Sequence, residues 1–120
     1  MRYVLNRGRL QEVMSKLRRK GYKPKLVWMS PEEYLRIVMG TWGYIFPPRP
    51  ESLGRWRLLD VAKYSRVRKA FRAGIPLPPL YLNTKERLPT GEPVHDGRHR
   101  AYVALSFGVP KVPVVVVELV

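Results

Sequence analysis

The run Val112-Pro113-Val114-Val115-Val116-Val117 constrains this chain more than any other stretch. It is apolar and β-branched without polar alternation, so the strand it forms, expected over Val112 to Leu119, is central or fully buried in a sheet. Pro113 belongs near the start of that strand, where a missing N–H is tolerated. The run is the longest apolar stretch and is far too short to span a bilayer. The opening Met1-Arg2-Tyr3-Val4-Leu5-Asn6-Arg7 carries charge but no apolar stretch long enough for a secretory signal. At 120 residues and 45% hydrophobic composition, the chain can build the core of one domain and is too short for two. A soluble, cytoplasmic domain with no membrane partner is expected.

The charge balance sets the second constraint. There are 23 Lys+Arg against 9 Asp+Glu, a formal net charge of +14. Self-repulsion on that scale opposes folding, and a polyanion partner, nucleic acid or a phosphorylated ligand, explains why it is carried. The plainer alternative is a heat-adapted protein that is generically basic, which two Asn, one Gln and 12 Pro also fit. The absence of cysteine excludes disulfides, thiolate metal sites and cysteine nucleophiles.

Local patterns divide the chain into elements. Leu10, Val13, Met14 and Leu17 share one stripe at helical period, with Asn6 placed to cap the helix and Gly21 to end it. Its other faces carry Arg9, Lys16, Arg18, Arg19 and Lys20, so residues 1–24 read as a basic helical extension to a domain spanning 25–120. Lys25 to Met29 reads as a strand. Ser30-Pro31-Glu32-Glu33 is a helix start, with Ser30 as cap, Pro31 at the first helical position and Glu33 closing a capping box. Leu35, Val38, Met39 and Trp42 form the buried stripe of that helix, and Tyr44 to Glu51 is a proline-rich connecting loop. A second basic helix is expected from about Gly54 to Ala73. Leu59, Ala62, Val67, Ala70 and Phe71 face its core side, while Lys63, Arg66, Lys69 and Arg72 are among its cations. The last third reads as strand Leu80-Tyr81-Leu82, a turn-rich connection from Asn83 to Pro93, and a short strand Val94-His95. A helix from Arg98 to Phe107 and the valine strand complete it. The fold class is α/β (α+β), a small mixed sheet flanked by helices.

His95-Asp96-Gly97-Arg98-His99-Arg100 is the segment richest in chemistry. It runs from a strand end through a turn into a helix start, where free N–H groups and the helix dipole favour an anion. Gly97 lets a ligand approach the backbone. Cations in a first helical turn oppose the dipole, and an anion docked there resolves the conflict. Alternatively, Asp96 merely caps the helix and the arginines are solvated or paired. His95 and His99 stand four apart, a zinc-pair spacing, but the Gly97 turn interrupts the helix and no third His or Cys completes a set, so no metal site is assigned. No nucleophile elbow is present.

The stretches Pro79 to Leu82, Val94 to Ala104 and Gly108 to Val114 resemble the ParB/sulfiredoxin superfamily, and Lys25 to Leu35 is similar to the opening of short archaeal members. The resemblance implies a ParB/sulfiredoxin-like fold whose pocket takes a nucleotide, ATP or another, with or without Mg²⁺, at Gly97, Arg98, His99 and Arg100. Sulfiredoxins carry their catalytic cysteine where Arg98 stands, so sulfinic-acid reduction is excluded. Partition ParB proteins that hydrolyse CTP tend to carry a glutamate there. The local motif is nearest the Asp-Gly-His-His-Arg of the free serine kinase branch. That likeness implies a catalytic Asp96, with Glu32 or Glu33 as second acid; Glu32 is the freer of the two.

The expectation is therefore a nucleotide-phosphate-binding domain with a DNA-backbone-binding surface at Lys16, Arg18, Arg19, Lys20, Lys63, Arg66, Lys69 and Arg72, accompanied at most by weak nucleotide hydrolysis. The alternatives are a small ATP/ADP-dependent phosphotransferase and a ParB-like nuclease. Two Asp and seven Glu are few for a metal-dependent nuclease. Trp28, Trp42 and Trp56 are expected first as core residues and second as base-stacking surfaces.

Overall fold

A computed structural model describes residues 1–39, 58–89 and 93–117. Trp42, the Tyr44 to Glu51 loop, Trp56, residues 90–92 of the Asn83 to Pro93 connection and the end of the valine strand lie outside the described residues. In chain order the elements are α1 (Arg7–Arg19), β1 (Pro24–Met29), α2 (Pro31–Met39), α3 (Leu58–Ala73), β2 (Leu80–Arg87), β3 (Pro93–Asp96), α4 (Arg98–Ser106) and β4 (Val112–Val117). The strands form one sheet in the order β1-β4-β2-β3. β4 lies antiparallel to β1 and parallel to β2, while β2 and β3 are antiparallel. The sheet is mixed and helices flank it, an α+β fold.

The valine run explains the layering. All six residues of β4 are buried. Val112, Val114 and Val116 enter one core with residues of α2, α3 and α4, while Val115 and Val117 enter a second with Leu10 and Leu17 of α1. Successive strand residues point to opposite faces, so a strand apolar at every position needs a cover on each side. α1 covers one face and the other three helices cover the opposite one. Pro113 stands second in β4, opposite Trp28.

The helix ends follow local chemistry. The Asn6 side chain accepts a hydrogen bond from the Arg9 N–H at 3.1 Å, and Ser30 Oγ accepts one from the Glu33 N–H at the same distance. Gly21 and Gly74 follow α1 and α3 in the left-handed region, at φ 87° and 66°, where a glycine carries no steric penalty.

Three details differ from the sequence reading. β2 continues to Arg87, and its pairing with β3 is interrupted by an irregularity between Asn83 and Arg87. The buried Asn83 side chain accepts from the Lys85 N–H at 2.9 Å and donates to the Tyr81 hydroxyl at 3.0 Å, which lets a polar residue continue an apolar strand. In α3, Ala62 is exposed and Tyr64 is buried in its place, beside Phe71 in the main core. Finally, no break in packing falls at residue 24. Tyr3 is buried in the main core, Leu5 forms a bridge with Leu77, and α1 supplies the second core. Residues 1–24 thus pack on both the main core and the α1 side of the sheet.

Two buried phenols make this packing sensitive to alkali. Burial pushes Tyr3 up to about 12 and raises Tyr34 further. A group whose folded pKa is raised contributes stability that is complete below its unfolded value, about 10 for tyrosine, and is lost as the pH climbs toward the folded value. Urea unfolding followed from pH 9 to 12 is therefore expected to show falling stability above about pH 10, by roughly 2–3 kcal/mol for Tyr3 alone. In Tyr3→Phe the fall is shallower over the same window.

Candidate functional site

The Asp96–Arg100 turn sits where β3 hands over to α4. Gly97 is the N-cap residue of α4, at φ 118° and ψ 14°, and no side chain caps the first turn. Asp96 therefore does not cap the helix; its side chain is 82% exposed. Glycine is required at 97 for two reasons. A Cβ there would stand 2.6 Å from Leu80 Cγ, and the left-handed backbone disfavours any L side chain.

Behind the turn lies a small polar network. Arg100 Nη1 donates to the Pro78 carbonyl at 2.7 Å and to the Pro79 carbonyl at 3.0 Å. The Tyr3 hydroxyl donates to the same Pro78 carbonyl. Arg100 Nη2 stands 3.5 Å from Asp96 Oδ2, and the Arg100 side chain is only 12% exposed. The fully buried Tyr34 places its single hydroxyl proton between the Asp96 carbonyl at 2.9 Å and the Tyr81 carbonyl at 3.0 Å. These contacts fix the end of β3 against β2 and orient the turn.

Two cavities open on either side of this turn. The first, about 290 Å³, is lined by Lys63, Arg66 and Val67 of α3 together with Asp96, Gly97, His99 and Arg100. The second, about 410 Å³, lies between the turn and α1; Arg9 and Lys16 of α1 and Lys20 just after it contribute to its wall. Asp96 and Arg100 line both. Each cavity thus gathers at least three cationic side chains; Asp96 is the acid in the first, and Asp96 and Glu12 are those in the second. Glu12 is paired with Arg9 at 3.1 Å. The result is a basic band running from α1 across the turn to α3.

The residues singled out from the sequence separate into groups. Gly97, His99, Arg100, Asp96, Lys63, Arg66, Lys16 and Lys20 meet around the two cavities. Arg98, Arg18, Arg19, Lys69 and Arg72 are exposed but do not line them. Arg19 instead donates to the Ser15 carbonyl at 3.4 Å, and the Arg72 guanidinium lies 5.6 Å from the centre of the Phe107 ring. Glu32 pairs with Arg36 one helical turn on and lines neither cavity. His95, the other half of the zinc spacing, has its Nδ1 2.9 Å from the Pro93 carbonyl.

Sequence reasoning missed Tyr3, Tyr34 and the Pro78–Pro79 carbonyls. Tyr34 was detectable as apolar surface, since it stands four residues before Val38 on the buried stripe of α2. Its hydroxyl partners belong to other strands and carry no local signal. Comparison with known proteins returns no match: no family model, no curated protein and no solved structure aligns with the chain.

Two substitutions test this geometry. Gly97→Ala is expected to lower unfolding free energy by roughly 2–4 kcal/mol, from backbone strain and overpacking against Leu80. Arg100→Met, which keeps much of the stem but removes the donor to the Pro79 carbonyl and leaves Pro78 with Tyr3 alone, is expected to cost roughly 1–3 kcal/mol. Denaturant unfolding of each purified variant measures both, and wild-type stability in either would contradict the packing at Gly97 or the hydrogen bonding of Arg100 described above.

Proposed function

We propose that this chain is a nucleotide-phosphate-binding domain whose Lys/Arg-rich helices also hold a nucleic-acid backbone. The observation that carries this reading is the basic band itself: two cationic cavities meet at one uncapped helix start, with α1 on one side and α3 on the other. Phosphate oxygens are the natural partners of such a place. Backbone N–H groups at a helix N-terminus and flanking Lys/Arg supply charge-assisted hydrogen bonds without any need to read a base. The likeness of the Asp96–Arg100 segment to nucleotide-holding turns of the ParB/sulfiredoxin superfamily supports the nucleotide half; the spread of charge over α1 and α3 supports the nucleic-acid half.

The roles divide accordingly. Lys63 and Arg66 provide exposed charge at the first cavity, and Gly97 allows close approach to the backbone. Arg100 contributes its positive field while its Nη1 remains committed to the proline carbonyls. Lys16 and Lys20 extend the band for a longer polyanion. A phosphotransferase or nuclease needs a second carboxylate beside Asp96, and Glu32, engaged by Arg36 outside both cavities, does not supply it. Binding therefore stands ahead of catalysis.

Calorimetric titration of ATP, ADP, CTP and GTP with Mg²⁺ tests the nucleotide site. Micromolar binding of one of them is expected, weakened roughly tenfold or more in Lys63→Ala/Arg66→Ala, which leaves the Arg100 network intact. For the polyanion surface, Lys16→Ala/Lys20→Ala is expected to leave nucleotide affinity unchanged. It should make the dependence of log DNA affinity on log salt shallower by about two. No binding by any of the four nucleotides removes the first half, and an unchanged salt slope removes the second.

A further inference from the structure

We infer that Trp28, with Arg2, Arg7 and Lys111 around it, forms a stacking site for an unpaired base of a single-stranded nucleic acid. The inference rests on the polyanion-binding reading above but concerns a separate cavity and adds a choice of strandedness. Trp28 was expected in the core, yet it is 42% exposed. Its neighbours in β1 behave differently: Val27 and Met29 pack into the main core and Leu26 packs into the core under α1. By strand alternation Trp28 shares the face of Leu26.

The indole borders a cavity of about 380 Å³ whose wall includes Arg2, Arg7 and Lys111 and no acid. That volume lies within the range of roughly 300–1,000 Å³ typical of ligand clefts. Among the described residues, none of these three cations has a side-chain hydrogen bond or ion pair, and none is stacked on the Trp28 ring. Elsewhere in the molecule arginines do settle on aromatic faces, Arg68 on Tyr64 and Phe107 and Arg72 on Phe107. The Trp28 site thus offers an exposed indole and uncompensated positive charge together.

A ligand that answers both must be planar and anionic. Single-stranded nucleic acid presents free base faces between phosphates, and base–aromatic stacking beside a cationic groove is how such strands are held. A duplex can satisfy the cations but keeps its base faces inside the stack. An acidic peptide can satisfy the charge but has no face to offer the indole.

Fluorescence anisotropy with labelled oligo(dT) and oligo(rU) of about 12 nucleotides, within the site sizes of single-strand binders, tests the site against a duplex of equal length. Trp28→Ala is expected to weaken both single strands by roughly 5- to 100-fold while changing duplex affinity less than twofold. Trp28→Phe, which keeps a stacking face, should retain most of the single-strand affinity and rules out a folding defect as the cause. Stronger binding of one oligomer than the other identifies whether the site favours DNA or RNA. Equal losses for single strand and duplex in Trp28→Ala, or no loss for either, overturn the stacking site, as does displacement of the oligomers by polyglutamate as effectively as by unlabelled oligo(dT). Wild-type protein that binds neither single strand nor duplex overturns the broader polyanion reading instead.

Discussion

The Arg100 guanidinium ties the first turn of α4 to the lead-in of β2. Proline has no N–H, so Pro78 and Pro79 bring two carbonyl acceptors into the interior without a donor of their own. Arg100 Nη1 reaches both, and Tyr3 fills a further lone pair on Pro78. One side chain from the first turn of α4 thereby anchors the lead-in to β2, while Tyr3 ties in the amino-terminal segment. The neighbouring Leu77 backbone completes the junction by exchanging hydrogen bonds with Val4 and Asn6, both at 2.8 Å. An arginine read from sequence as a ligand for phosphate turns out to be occupied mainly by the protein's own backbone. Its field still reaches the two adjoining cavities, because burying a guanidinium does not remove its charge.

The second constraint is the unbroken apolar character of β4. A strand buried on both faces demands two layers of cover, and the sequence supplies them unequally. The α2, α3 and α4 side is a conventional core of Leu, Val, Tyr and Phe, whereas the α1 side is narrower and built around Leu10 and Leu17. α1 is consequently amphipathic in a strong sense, with its cations displayed beside the sheet end where the Asp96–Arg100 turn emerges. Layering and charge placement are thus one arrangement: the same helix that closes the second core extends the basic band.

Much of the architecture was legible because local signals decide it. The Asn6 and Ser30 caps, the glycines after α1 and α3, the stripe of α1 and the valine strand all depend on neighbours within a few residues. What could not be read depends on partners far away. Ala62 and Tyr64 lie at opposite edges of the apolar stripe expected for α3, and the packing of Phe71 and Val67 in the main core sets the inward face on the Tyr64 side. Asn83 looked like the end of a strand because a buried polar residue requires donors and acceptors that the sequence does not advertise; the Tyr81 hydroxyl and Lys85 N–H provide them. The site divides in the same way. The turn at Gly97 was visible, but the approach of Lys63 and Arg66 depends on how α3 lies against α4. Apolar area on average places a residue such as Trp28 in the core, and the edge position of β1 overrides that average here.

The pairing of β1 with β4 bears on how the molecule is made. Residues 24–29 meet residues 112–117, so the first strand waits for a partner that is almost ninety positions away along the chain. β2 likewise meets its parallel neighbour only when β4 arrives. Until the ribosome has released the valine strand, neither hydrophobic layer has a floor to pack on, and the growing polypeptide carries open apolar faces with a heavy positive charge. That charge keeps emerging copies apart during the interval in which the central strand is missing. The cationic surface proposed to meet a polyanion in the finished fold acts, in the unfinished one, against self-association.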